Sequence, residues 1–216
     1  GANRINAGGT AADLNLVVTD RLETGYDTRI VANISAGSIR DSGGQSSFAG
    51  NLMSATGDIQ LGYATTVNGN ITASSGKVLV GNAVTIVGSI TGGSGDVALD
   101  YAARISGNIT TSSGRITLAQ ATSTGACVKS ASSARITLGY QAVAAGVCCR
   151  STCSNSCVQN DSTYAMPAAC ATLIAKYDFN EAAYAGTAGE LKDTAGYPGG
   201  PFNGKAQGSP WPGAGS

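Results

Sequence analysis

Four consecutive segments of this chain align without a gap: Asn51 to Gly69, Asn70 to Gly88, Ser89 to Gly107 and Asn108 to Ala126. The period is 19 residues. A unit this short cannot bury its own apolar side, so a fixed repeat of this length points to a solenoid or array in which each unit covers the next.

The aligned columns carry strand periodicity. One holds Leu52, Ile71, Ile90 and Ile109; another Ile59, Val78, Val97 and Ile116; a third Leu61, Val80, Leu99 and Leu118. The last two columns lie two residues apart, the spacing of one face of a strand, and nothing recurs at helical spacing. Further columns hold Ala64, Ala83, Ala102 and Ala121, and Val67, Ile86, Ile105 and Thr124. Gly57, Gly76, Gly95 and Gly114 share a position, and Gly69, Gly88 and Gly107 close three units. A glycine repeated at one position reads as a turn needing positive φ or a close backbone approach.

Three short strands separated by turns make one coil of a parallel β-helix. The competing arrangement is a string of antiparallel hairpins. Identical residues in register favour parallel stacking, at about 4.8 Å per layer. The expected fold is therefore all-β, a β-solenoid over 1–146 whose coils occupy about 10–146. Degenerate coils flank the clean ones: Gly25 to Ile30 echoes Gly62 to Val67, and Ser132 to Leu138 echoes Ser112 to Leu118 after a small insertion.

Two polar columns bear on the stacking. Asp58, Lys77, Asp96 and Arg115 alternate in sign, which suits either an ion-pair column along the axis or a solvated charged column. Asn51, Asn70, Ser89 and Asn108, with Asn33 before them, suit a ladder of side-chain amides. Asn33, Asn70 and Asn108 also open N-x-S/T patterns, which the repeat generates by itself.

Composition narrows the function classes. Charged residues are 12%, glycines number 31, and formal net charge is +0, so nothing suggests nucleic acid or an anionic membrane as a partner. No apolar run is long enough to span a bilayer. Histidine is absent, which removes Ser-His-Asp and Cys-His catalysis, His-ligated zinc and c-type haem attachment. No cofactor or metal is expected. The start at Gly1 without Met fits a processed secreted protein or a trimmed chain.

Cys127, Cys148, Cys149, Cys153, Cys157 and Cys170 cluster late in the chain. Their density among Ser, Asn and Thr favours disulfides outside the cytoplasm; six cysteines allow 15 pairings, and spacing does not choose among them. The C-x3-C spacings of Cys149, Cys153 and Cys157 differ from the usual structural zinc pairs. A disulfide-rich cap over 147–171 would cover the open sheet edge at the end of the solenoid. The tail, 172–216, lacks the apolar content for a core of its own.

The tail carries Tyr177, Asp178, Phe179, Asn180 and Glu181, then Gly186 to Glu190, Asp193, Gly196, Asn203 and Gly204. With Val67 to Thr72 (V-N-G-N-I-T) and the cysteine-rich junction, the chain resembles bacterial surface proteins of the MSHA-pilus biogenesis protein Q type. The resemblance implies the opening strands of a laminin-G/concanavalin-like domain in the tail, and pilus components as partners. Such a sandwich needs well over 100 residues, so the chain reads as a fragment or processed product. No ligand site carries over. A lone strand at Lys176, Tyr177, Asp178 and Phe179 would suit strand addition to a neighbouring copy, giving head-to-tail filaments.

Three function classes follow. The first is a non-enzymatic structural protein at the bacterial surface or outside the cell: a filament subunit or an adhesin stalk. The second is a polysaccharide-degrading β-helix, with Asp58 and Asp96 as the carboxylates, two coils or about 10 Å apart. Lys77 between them and the lack of an aromatic cluster argue against it. The third is a binding module for surface glycans or ice. Thr72, Thr91 and Thr110 form a single threonine column rather than a T-x-T face, and Tyr63 and Tyr101 share another column with Asn82. The structural reading is expected.

Overall fold

The computed structural model describes residues 3–150 and 155–170. They form a parallel β-solenoid of about 7 turns, successive turns about 19 residues apart. The tail, 172–216, lies outside the described residues, as does residue 171.

In chain order the strands are β1 (Arg4–Ile5), β2 (Asn15–Thr24), β3 (Arg29–Val31), β4 (Asn33–Asp41), β5 (Ser47–Ala49), β6 (Leu52–Ser54) and β7 (Ile59–Leu61). There follow β8 (Thr66–Asn68), β9 (Ile71–Ala73), β10 (Val78–Val80), β11 (Thr85–Val87), β12 (Ile90–Gly92), β13 (Val97–Leu99) and β14 (Arg104–Ile105). The last are β15 (Ile109–Thr111), β16 (Ile116–Leu118), β17 (Ser123–Ser130), β18 (Ile136–Leu138), β19 (Val143–Cys149) and β20 (Val158–Asn160).

These strands make three parallel faces. Face A stacks the first half of β2 and of β4, then β6, β9, β12, β15 and the second halves of β17 and β19. Face B stacks the second halves of β2 and β4, then β7, β10, β13, β16, β18 and β20. Face C stacks β1, β3, β5, β8, β11, β14 and the first halves of β17 and β19. Every pairing is parallel, and Val78 pairs with both Ile59 and Val97, one repeat away on each side. The hairpin arrangement is excluded. The small insertion before Ile136 is absorbed in a turn, since Ile116 still pairs with Ile136.

On faces A and B each three-residue strand points its outer two side chains inward and its middle one outward, whereas on face C the middle residue points inward, as at Val67 and Ile86. The inward residues fill one continuous core: Ile71, Val78, Ile86, Ile90, Val97 and Ile109 are all fully buried. Burying one such side chain contributes about 1.5–3 kcal/mol, set against the entropy of ordering the chain. Face A ends in small residues, Ala36, Ser54, Ala73 and Gly92, where the wall turns sharply toward face B.

The small-residue columns meet the two demands in different ways. A Cβ on Gly76, Gly95 or Gly114 would lie 1.9, 2.0 or 1.8 Å from the carbonyl oxygen of the matching glycine one coil earlier. That column serves close approach of stacked backbones. Gly50, Gly69 and Gly88, which close coils, combine close approach with positive φ, at 135°, 157° and 158°, while left-handed φ between 52° and 58° falls on Asp27, Gln45, Ala64, Ala83, Ala102, Ala121 and Gln141. Their left-handed turns aim each N–H along the axis, so that Ala64 N–H meets Asn82 O at 2.9 Å and Ala83 N–H meets Tyr101 O at 2.8 Å. The alanine column is thus a turn on the surface rather than part of the core.

The stack continues past the boundary expected at 146. Strand β19 runs through it, β20 adds a rung on face B, and Ala169 bridges Val147 on face A. The cysteine-rich segment is itself wound onto the solenoid.

Substitution separates the two small-residue columns. Gly95→Ala is expected to lower unfolding free energy by about 2 kcal/mol or more, because backbone must move. Ala83→Gly is expected to stay within about 1 kcal/mol of wild type, since relief of left-handed strain offsets the added chain entropy. Denaturant unfolding monitored by circular dichroism measures both.

Candidate functional site

The charged column stacks as the repeat implies but makes different contacts from an ion-pair ladder. Asp58 Oδ1 accepts from the backbone N–H of Lys77 at 2.8 Å, and Asp96 Oδ1 accepts from that of Arg115 at 2.8 Å. The one ion pair found among the described residues is Arg21 with Glu23, at 3.6 Å on the exposed part of β2. Each aspartate therefore satisfies an amide of the next coil at a corner where the ladder leaves it unpaired. Both carboxylates of the glycosidase reading are occupied in this way, with Lys77 between them.

The asparagine column behaves alike. Asn33 Oδ1 accepts from Asn51 N–H at 3.1 Å, Asn51 Oδ1 from Asn70 N–H at 2.9 Å and Asn70 Oδ1 from Ser89 N–H at 2.9 Å. Ser89 Oγ then accepts from Asn108 N–H at 3.1 Å, and Asn108 Oδ1 from Cys127 N–H at 3.0 Å. One amide-to-amide bond occurs, from Asn51 Nδ2 to Asn33 Oδ1 at 3.2 Å. The ladder runs mainly from side-chain oxygen to backbone amide, because a short side chain reaches the next layer's N–H directly.

One buried carboxylate escaped the sequence reading. Asp41 is 1% exposed and takes the position that holds Leu61, Val80 and Leu99 in later coils. Its Oδ1 accepts from Thr24 Oγ1 at 3.1 Å, Ser46 Oγ at 2.9 Å and Gly44 N–H at 3.4 Å. Its Oδ2 accepts from the Thr65 hydroxyl and from Gly62 N–H at 3.3 Å. These donors span successive coils, so Asp41 ties the irregular first turns to the regular ones. Among the described residues its partners are hydroxyls and backbone amides of the surrounding coils.

At the far end, Arg115 and Arg135 lie on adjacent coils, with Ile116 N–H donating to Arg135 O at 3.1 Å. They line a shallow cleft with Thr117, Ser133 and Thr137. Arg135 Nη1 donates to Gln159 Oε1 at 3.1 Å. The sign alternation thus ends with two like charges.

Disulfides fasten this end. Cys127 bonds Cys170, with Cα atoms 5.7 Å apart, and Cys149 bonds Cys157, with Cα atoms 6.0 Å apart. Cys148 is disulfide-bonded as well, while Cys153 lies outside the described residues. Gly146 is the register partner of Cys127, and a Cβ there would lie 3.2 Å from both Cys127 Sγ and Cys170 Cα. The bridge uses the space that glycine leaves. Spacing alone could not give this pairing, since it depends on which residues the coils bring together.

A second exposed column occupies the turn joining faces B and C. Tyr63 and Tyr101 stand there 58% and 54% exposed, two coils apart with Asn82 between them. The threonine column Thr72, Thr91 and Thr110 lies on face A in register, without a second threonine row beside it. Lys176, Tyr177, Asp178 and Phe179 lie outside the described residues. Comparison of the chain with protein-family models, curated proteins and solved structures gave no match.

Asp41→Ala is expected to cost about 2–3 kcal/mol of stability, because several buried donors lose their acceptor together. Asp41→Asn keeps part of the acceptor set and should cost less. Thermal and denaturant unfolding of the two variants provide the comparison.

Proposed function

We propose that this protein is a non-enzymatic structural element working outside the cell, a rod that serves as a filament subunit or as the stalk of a pilus-associated surface adhesin. The observation that carries this reading is the free edge of β2. Among the described residues, no strand pairs with its outer side. Asn33 N–H donates to Leu14 O, so strand alternation turns the backbone groups of Asn15 and Val17 toward that edge. Val17 is 75% exposed, and Leu16, Val18 and Leu22 point into the core yet are only half-buried. An unpaired strand over an unfinished core is a template for another coil.

Other features agree. Disulfides suit an oxidising compartment. Among the described residues no helix is long and apolar enough to cross a membrane. The carboxylates and amides of the polar columns are engaged in backbone bonds between coils. The resemblance to MSHA-pilus biogenesis protein Q-like surface proteins points the same way, and strand addition by Lys176 to Phe179 is a second route to assembly within this reading.

Electron microscopy and sedimentation of the full chain test the proposal. End-to-end association rising with protein concentration is expected. Val17→Pro removes an edge donor without touching the ladder to β4, so it should abolish association and leave unfolding unchanged. Single short rods at every concentration, or association unaffected by Val17→Pro, would contradict it.

A further inference from the structure

The turn joining faces B and C carries more than the pair of tyrosines visible in the clean repeats. Hydrogen bonds from each left-handed residue to the next coil fix the register of the whole column. Asp27 N–H donates to Gly44 O, Gln45 to Tyr63, Ala64 to Asn82, Ala83 to Tyr101, Ala102 to Gln120 and Ala121 to Tyr140. The column therefore reads Tyr26, Gly44, Tyr63, Asn82, Tyr101, Gln120, Tyr140. A tyrosine stands at every second coil along the length of the solenoid. All four are exposed, at 62%, 58%, 54% and 51%. Successive rings are two coil steps apart, about 10 Å.

Three details make this row a platform. The residues just before the tyrosines are small or short, Gly25, Gly62, Asp100 and Gly139, so the rings stand above their surroundings. The intervening coils offer amides: Asn82 Oδ1 accepts from Tyr101 N–H at 3.1 Å, which holds that side chain along the axis. Gln120 is exposed, and its side-chain amide has no hydrogen-bond partner among the described residues. Tyr26 donates its hydroxyl to Gln45 Oε1 at 2.5 Å, which aligns that ring with the next coil. The row is one residue wide, too narrow to bury the area a stable protein interface needs.

We propose that this corner binds a linear polysaccharide of extended, equatorially linked pyranoses, with one sugar ring stacked on each tyrosine. In such a polymer the same ring face recurs at every second sugar, at a repeat close to two coil steps. The apolar face of the sugar lies on the aromatic ring, and its equatorial hydroxyls meet Asn82 and Gln120. Each contact is weak, and four in fixed register act together. A charged polymer is not required, since the chain has formal net charge +0.

Depletion of the full chain from solution by microcrystalline cellulose and by chitin tests this, with cross-linked dextran as the polymer of different geometry. Retention on at least one of the extended polymers and none on dextran is expected. Tyr63→Ala with Tyr101→Ala should weaken retention about tenfold or more, at unchanged melting temperature. Exchanging Tyr101→Asn with Asn82→Tyr keeps the composition but sets neighbouring rings one coil apart, and should weaken retention as well. The proposal is overturned by no retention on either extended polymer, by equal retention on dextran, or by either variant binding as wild type does. It is equally overturned if the tyrosine substitutions dissolve a dimer seen in sedimentation, which would make a second copy the occupant.

Discussion

Contact between the backbones of identical residues in successive coils is the constraint on which this molecule depends. In the regular coils the strands are two or three residues long, and alone none would persist in water. They persist because each is hydrogen-bonded on both sides to copies of itself. That demands a column of glycines wherever a side chain would meet a carbonyl below, as at Gly76, Gly95 and Gly114. It also demands acceptors for amides stranded at the corners, which the Asn33 to Asn108 column and the aspartates Asp58 and Asp96 supply. Repetition in sequence follows from repetition in space.

Much of the fold was legible because burial in a stacked coil leaves a periodic trace. The Leu52, Ile59 and Leu61 columns are the core, and their spacing gave both strand identity and parallel order. What was not legible has a common physical reason. Which column takes positive φ depends on where an amide must point, which composition does not record; Ala64, Ala83, Ala102 and Ala121 take it, as do the closing glycines Gly69 and Gly88, while Gly76, Gly95 and Gly114 do not. Charge alternation suggested ion pairs, yet the short Asp58 side chain accepts from the backbone N–H of Lys77 rather than from its ammonium group. Asp41 looked like an ordinary charged residue because its donors, Thr24, Ser46 and Thr65, come from different coils. The pairing of Cys127 with Cys170 depends on the bare backbone of Gly146 beside it.

The two ends of the solenoid differ, and the difference organises its use. The C-terminal end carries rungs from β20 and Ala169 and is fastened by disulfides. The other end presents β2, half-buried Leu16 and Val18, and the Arg21–Glu23 pair on its exposed strand. Between them the long surfaces are regular, so any group placed at one position recurs at multiples of the coil height. Such a scaffold can measure out spacing along an axis, which irregular loops cannot do. The tyrosine column uses this property, while the free strand edge uses the stacking itself.

Distances between spin labels along one outward column test the stacking most directly. Val17, Met53 and Lys129 lie on the outer side of face A. Lys129 is four coils from Met53 and six from Val17, so labels should be separated by about 19 Å and about 29 Å, in proportion to the coils between them. Separations that fail to grow in that proportion would mean the segments do not lie flat on one another, and the parallel solenoid would be wrong.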